Sequence, residues 1–141
     1  MLPLRHAKRW RIASIVLLLA VLVAALMPAV WFIDNRVQAL SWFRGVDKWL
    51  HGIVFFTLSL WFAGMYHRSS YWRVAIGLLA FGFAIEICQR MVSYRSAEWY
   101  DVAADTAGIV AGLLVALLGA GGWCLRFENR FLSESESVSN G

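Results

Sequence analysis

Charge is what this chain has least of. Only 16% of its 141 residues are Asp, Glu, Lys or Arg, and 60% are hydrophobic, whereas a soluble domain carries about 25% charged residues. That balance excludes an ordinary soluble globule and points to a membrane protein. Internal repeats and long polar inserts are absent too, so the length accommodates one domain of a few spans, with its aqueous parts confined to loops. Cysteine is scarce: Cys88 and Cys124 fall near opposite ends of different helices in the layout below. Disulfide formation needs Cα atoms within about 7 Å, so both are expected as free thiols in packing roles. The net charge of +4 comes from basic residues scattered beside apolar runs and not from one continuous polar face. Membrane topology therefore accounts for them better than a nucleic-acid partner.

Four apolar stretches organise what is present. Arg5, Lys8, Arg9 and Arg11 surround Trp10, and the chain is then apolar from Ile12 to Ile33 apart from Ser14, with Pro28 near the far end. This run exceeds the ~7 to 15 apolar residues of a signal peptide and lacks a clean small-x-small site, so it reads as a retained first span, 12–33, kinked near its end by Pro28. About 20 residues suffice to cross the hydrocarbon core. The mixed segment 34–46 suits a short helix or loop at the lipid surface, broken at Gly45. Further spans are expected at 49–66, 71–92 and 101–125. The short turn His67-Arg68-Ser69-Ser70 makes the second and third antiparallel neighbours. From Ser133 onward the chain is serine-rich, charged and almost free of apolar residues, as a disordered tail would be.

Cytoplasmic segments are enriched in Lys and Arg. The termini and the turn after Tyr66 carry eight such residues and the two other connections carry five, which sets both termini in the cytoplasm. The expected fold is thus an all-α, polytopic four-transmembrane-helix bundle. Residues 1–11 are its basic cytoplasmic N-terminus, 12–125 its membrane domain and 126–141 a disordered cytoplasmic tail. Trp10, Trp72 and Trp123 would mark the inner interface, and Trp31, Trp49 and Trp99 the outer one.

On this layout the polar residues that are not simple flanks gather at the outer face. Glu86 to Asp105 holds four of the chain's nine acids. A charged side chain in a span costs roughly 2.5 to 3.5 kcal/mol on insertion scales and normally faces protein or a water-filled cavity. Asp47 and His51 lie four apart, as do Asp101 and Asp105, so each pair shares a helix face. Glu86 and Gln89 sit roughly 9 Å inside the outer end of the third span. Gly108 and Gly112 fall within about 40° of Asp101 and Asp105 on a helical wheel, and Gly119 returns to the same side. Small residues at that spacing let helices approach closely, so the acids face another helix, with the third span and Glu86 the obvious candidate.

The series Asp47-Lys48-x-x-His51 with Phe55, Glu86-x-x-Gln89, Arg95, Asp101 and Ala104-Asp105-x-x-Gly108 resembles the motifs of VanZ-like membrane proteins. The likeness covers about residues 47–112. Where members of that family often have Asn, this chain has Asp105. The resemblance implies a bacterial envelope protein related to one associated with teicoplanin resistance, located in the cytoplasmic (inner) membrane.

Each of these residues also has a plain structural reading. Glu86 and Arg90 form a favourable i,i+4 pair, His51 could bond a neighbouring carboxylate or carbonyl, and Asp101 could cap its helix. Lys48 and Arg95 could be interfacial anchors. Three function classes follow. A transporter needs polar groups along a route through the bilayer, and the charge-free inner halves of the spans argue against one. An enzyme would use His51, Glu86 and Asp105 as acid–base groups, although no nucleophile motif accompanies them. A recognition site would use Asp47, Lys48, Gln89, Arg95 and Asp101 to hold an envelope lipid or a lipid-linked cell-wall or polysaccharide precursor. A structural or partner-binding subunit with a polar core is the remaining alternative. A metal-assisted version of the enzyme would use Asp47, His51, Glu86, Asp101 and Asp105 as oxygen and imidazole ligands, but their spacing matches no metal signature, and no cofactor is expected.

Overall fold

A computed structural model describes residues 1–27, 36–91 and 99–139, with side chains described over 1–27, 49–91 and 99–131. The chain forms α1 (Ala7–Leu26), α2 (Arg36–Met65), a 3-10 turn (Arg68–Ser70), α3 (Tyr71–Met91), α4 (Trp99–Val115) continued by a π turn (Ala116–Ala120), and α5 (Trp123–Ser139). No strand occurs among the described residues. Three segments, Ala7–Leu26, Arg68–Met91 and Trp99–Ala120, are long and apolar enough to cross a membrane, and Trp49–Met65 is a shorter apolar helix.

Several element boundaries differ from the sequence expectation. α1 ends at Leu26 and not at residue 33, because Met27 is extended (ψ 135°). Met27 precedes Pro28, whose ring disfavours helical backbone in the preceding residue. Residues 28–35 lie outside the described residues. α2 runs unbroken through Gly45, since a single glycine inside a helix costs only about 1 kcal/mol. The fourth long segment stops at Ala120 and not at residue 125. Gly119 (φ 140°) and Gly122 (φ 71°) adopt backbone angles that side chains disfavour, and they turn the chain into α5. Gly119 therefore belongs to a turn and not to the small-residue face of α4. The tail from residue 126, expected to be disordered, is helical through Ser139. Trp123, Cys124, Phe127 and Phe131 recur at helical spacing there and give α5 an apolar stripe.

The outward surface is apolar. Ile12, Ile15, Val16, Leu19, Ile53, Ile76, Ile87 and Leu114 are all more than half exposed, far more contiguous apolar surface than soluble monomers show. Inside, Phe55, Leu58, Val74, Leu78, Ile85 and Ile109 form the main core, covered on one side by Leu17, Leu18, Val21 and Leu22 of α1.

The most extensive helix pair is α2 with α4. A Cβ on Gly108 would run into the Gly52 carbonyl oxygen, and one on Gly112 would lie 2.7 Å from the Phe56 carbonyl oxygen. The glycine face of α4 thus docks on the backbone of α2, and not on α3 as the helical wheel suggested. A wheel identifies a face but not the neighbour that meets it.

A second knot closes the other end of the bundle. Trp10, Trp61 and Trp123 pack with ring centroids 5.5 to 5.7 Å apart, and each indole N–H donates: to Glu128, to Ser14 Oγ and to the Leu60 carbonyl, respectively. Trp10 and Trp123, expected from the sequence at the inner interface, are therefore packing residues. Cys124 is fully buried beside Leu4 and Met65. Burial pushes its thiol pKa up to about 12, and both cysteines are free.

Candidate functional site

α1 and α3 end where α2 and α4 begin, and this end of the bundle collects polar side chains. His51, Glu86, Gln89, Asp101 and Asp105 are all buried. His51 Nδ1 lies 3.0 Å from Asp105 Oδ1, joining α2 to α4. The other side of the Asp105 carboxylate faces α3, where a Cβ on Gly82 would fall 2.7 Å from Oδ2 and 3.3 Å from Phe55 Cζ. Gly82 thus makes room for the acid, and Phe55, one turn along α2 from His51, forms an apolar floor beneath the pair. Low-dielectric surroundings of this kind strengthen the His51–Asp105 interaction.

Gln89 Nε2 donates to the Ala25 carbonyl at 3.0 Å, satisfying one of the carbonyl groups that a helix leaves open in its last turn. Its Oε1 is buried with no hydrogen-bond partner among the described residues. Asp101 sits in the first turn of α4, where a carboxylate complements the helix dipole, so its capping reading remains compatible with its position. Glu86 is buried at 4% exposure, while Arg90, one turn further on, is exposed.

Five of the eight residues singled out from the sequence therefore meet at one end. Asp47 and Lys48 lie within α2, but their side chains are outside the described residues. Arg95 is outside them altogether. Among the described residues no group of three or more His, Cys, Asp or Glu side chains is arranged to hold a metal ion. Chemically, the arrangement offers an imidazole oriented by a carboxylate, additional carboxylates and an amide oxygen, all in a protein interior.

Sequence reasoning missed Glu128. Its carboxylate accepts from the Arg5 and His6 backbone N–H groups at 2.8 and 3.1 Å and from Trp10 Nε1 at 2.9 Å, tying α5 to the start of the chain. The available signal was its i,i+4 spacing from Cys124, which puts the acid on the buried face of α5. Burial raises its pKa, but the three hydrogen bonds together outweigh that effect and hold it below the ordinary glutamate value. A depressed folded-state pKa stabilises the fold above the unfolded value, about 4.3, and this contribution disappears as pH falls through the folded pKa. Melting curves of wild type and Glu128→Gln should therefore converge as pH is lowered below about 4.3. At neutral pH, Glu128→Ala is expected to cost about 1.5 to 3 kcal/mol, the usual worth of hydrogen bonds to a charged group, because it removes the acceptor that three donors share.

Spanning-length helices with an apolar exterior and a buried polar cluster at one end define an α-helical integral membrane protein. The chain belongs to the VanZ/LLP1 family, whose model matches residues 5–120. The match includes all eight residues singled out from the sequence and stops just before α5. No curated protein and no solved structure matches the chain.

Proposed function

We propose that the polar end of the bundle binds or modifies the headgroup of an envelope lipid or lipid-linked glycan at the outer face of the bacterial cytoplasmic membrane. Trp49–Met65 serves as a further span in this reading, and both termini are cytoplasmic. The observation that carries it is the burial of His51, Glu86, Gln89, Asp101 and Asp105 on three helices, with His51 and Asp105 in contact. Polar groups in a bilayer interior carry a standing cost, and they commonly mark a functional pathway or ligand site. Lys48 and Arg95 would supply the cationic contacts to a phosphate, with the acids and Gln89 bonding sugar hydroxyls or an amine. A link to teicoplanin-type glycopeptide resistance belongs to the same proposal, since such drugs act on the envelope layer in which these lipids are used.

A second reading is favoured by the His51–Asp105 contact. A carboxylate that fixes an imidazole's tautomer and orientation is a common support for acid–base catalysis. One experiment addresses both readings. The purified protein is incubated with a polyprenyl-phosphate-linked sugar, and the lipid is followed by native mass spectrometry. Retention of the intact lipid supports a binding role, and a time-dependent change in its mass supports an enzyme. Wild-type protein that neither retains nor alters it contradicts the proposal.

A further inference from the structure

A groove of about 420 Å³ opens at the end of the bundle opposite the polar cluster. Its walls are Leu18 of α1, Phe62 and Tyr66 of α2, and Gly77, Leu78 and Phe81 of α3. The volume lies within the ~300 to 1,000 Å³ of typical ligand sites. From Arg73 to Phe81 the α3 wall rises about 12 Å, most of one leaflet of a hydrocarbon core about 30 Å thick. Gly77 keeps the groove open, because nothing lies within 4 Å of where its Cβ would stand.

The mouth is polar and cationic. Ser70 and Arg73 line it together with Tyr66, at the turn joining α2 to α3. The Arg73 guanidinium lies 5.2 Å from the centre of the Trp72 ring, an exposed tryptophan of the kind that marks headgroup level. Arg5, Lys8, Arg9, Arg68 and Arg126 are exposed at the same end. Glu128 is the acid at this end among residues with described side chains, and its carboxylate is buried and occupied by donors. An apolar slot one leaflet deep beneath a cluster of exposed cations is complementary to an anionic lipid.

We propose that this groove seats one acyl chain of an anionic glycerophospholipid, with Arg73, Ser70 and Tyr66 holding its phosphate. The site is separate from the polar end and does not depend on the function proposed for it.

The test uses full-length protein reconstituted with equal parts phosphatidylglycerol and phosphatidylcholine. After gentle extraction, the lipids retained per chain are counted by native mass spectrometry. Wild type should keep one phosphatidylglycerol in preference to phosphatidylcholine. Arg73→Gln should reduce that preference about fivefold, as expected for one surface cation facing an anionic lipid. Gly77→Leu, whose Cβ has open space and whose side chain occupies part of the slot, should lower retention of both lipids about tenfold, and the smaller Gly77→Ala less so. Melting curves confirm that each variant is folded. Retention that is blind to headgroup and unchanged by these substitutions would mean bulk lipid and would overturn the proposal. So would a wild-type dimer that Gly77→Leu dissociates, because a second copy would then occupy the groove.

Discussion

One added methyl group at position 108 is expected to lower the melting temperature by about 10 °C, through a loss of about 3 kcal/mol. The Cβ of Gly108→Ala would collide with the Gly52 carbonyl oxygen and come within 3.0 Å of the Gly52 carbonyl carbon and the Phe56 nitrogen. All of these are backbone atoms of α2, so no rotamer change relieves the contact and the two helices must separate. Separation loosens the most extensive helix pair in the bundle, and with it the His51–Asp105 bridge. The same substitution at Gly77, where a methyl group meets open space, should be neutral or stabilising by about 0.5 to 1 kcal/mol. Thermal melts of the two variants side by side therefore predict opposite signs from identical chemistry. A tolerated Gly108→Ala would refute the close α2–α4 approach.

Breaking the polar bridge should have an effect of similar size. His51→Ala removes the partner of a buried carboxylate, and stranding a buried charge costs about 3 to 5 kcal/mol. Asp105→Ala removes the carboxylate bonded to the ring and should destabilise by about 1 to 3 kcal/mol. Asp105→Asn keeps an acceptor oxygen for the ring nitrogen, and the expected loss is nearer 1 kcal/mol. The double variant His51→Ala/Asp105→Ala should be more stable than the sum of the single losses by about 0.5 to 3 kcal/mol, since each single change already removes the same His51–Asp105 contact. Denaturant unfolding of wild type, the two alanine variants and the double variant measures this coupling, and strict additivity would show that the two side chains do not interact.

The polar end was legible from the sequence because a charge in an apolar run stands out against its insertion cost. Helix periodicity then placed His51, Glu86, Gln89, Asp101 and Asp105 at matching heights. Which helices touch was less legible. The pattern of Gly108 and Gly112 showed that α4 needs a close neighbour, but the identity of that neighbour depends on how all the helices cross. Gly82 gave no sign of its task, since making room for Asp105 is a property of two helices together. α5 was hidden by its own composition: its packing face combines Trp123, Cys124 and Glu128, and the last of these reads as a surface acid until its three donors are in place. The end of α1 was half legible. Pro28 marked the region, and the helix ends at Leu26, two residues before it.

The central claim is that the polar end is a ligand site and not merely a packed polar core. Its most direct test is the dissociation constant of a polyprenyl phosphate for protein in nanodiscs, comparing wild type with Glu86→Gln after melting curves confirm that both are folded. Losing hydrogen bonds from a buried carboxylate to a ligand is expected to weaken binding at least about tenfold. Equal affinities in two folded proteins would contradict the account and leave the cluster with a structural role.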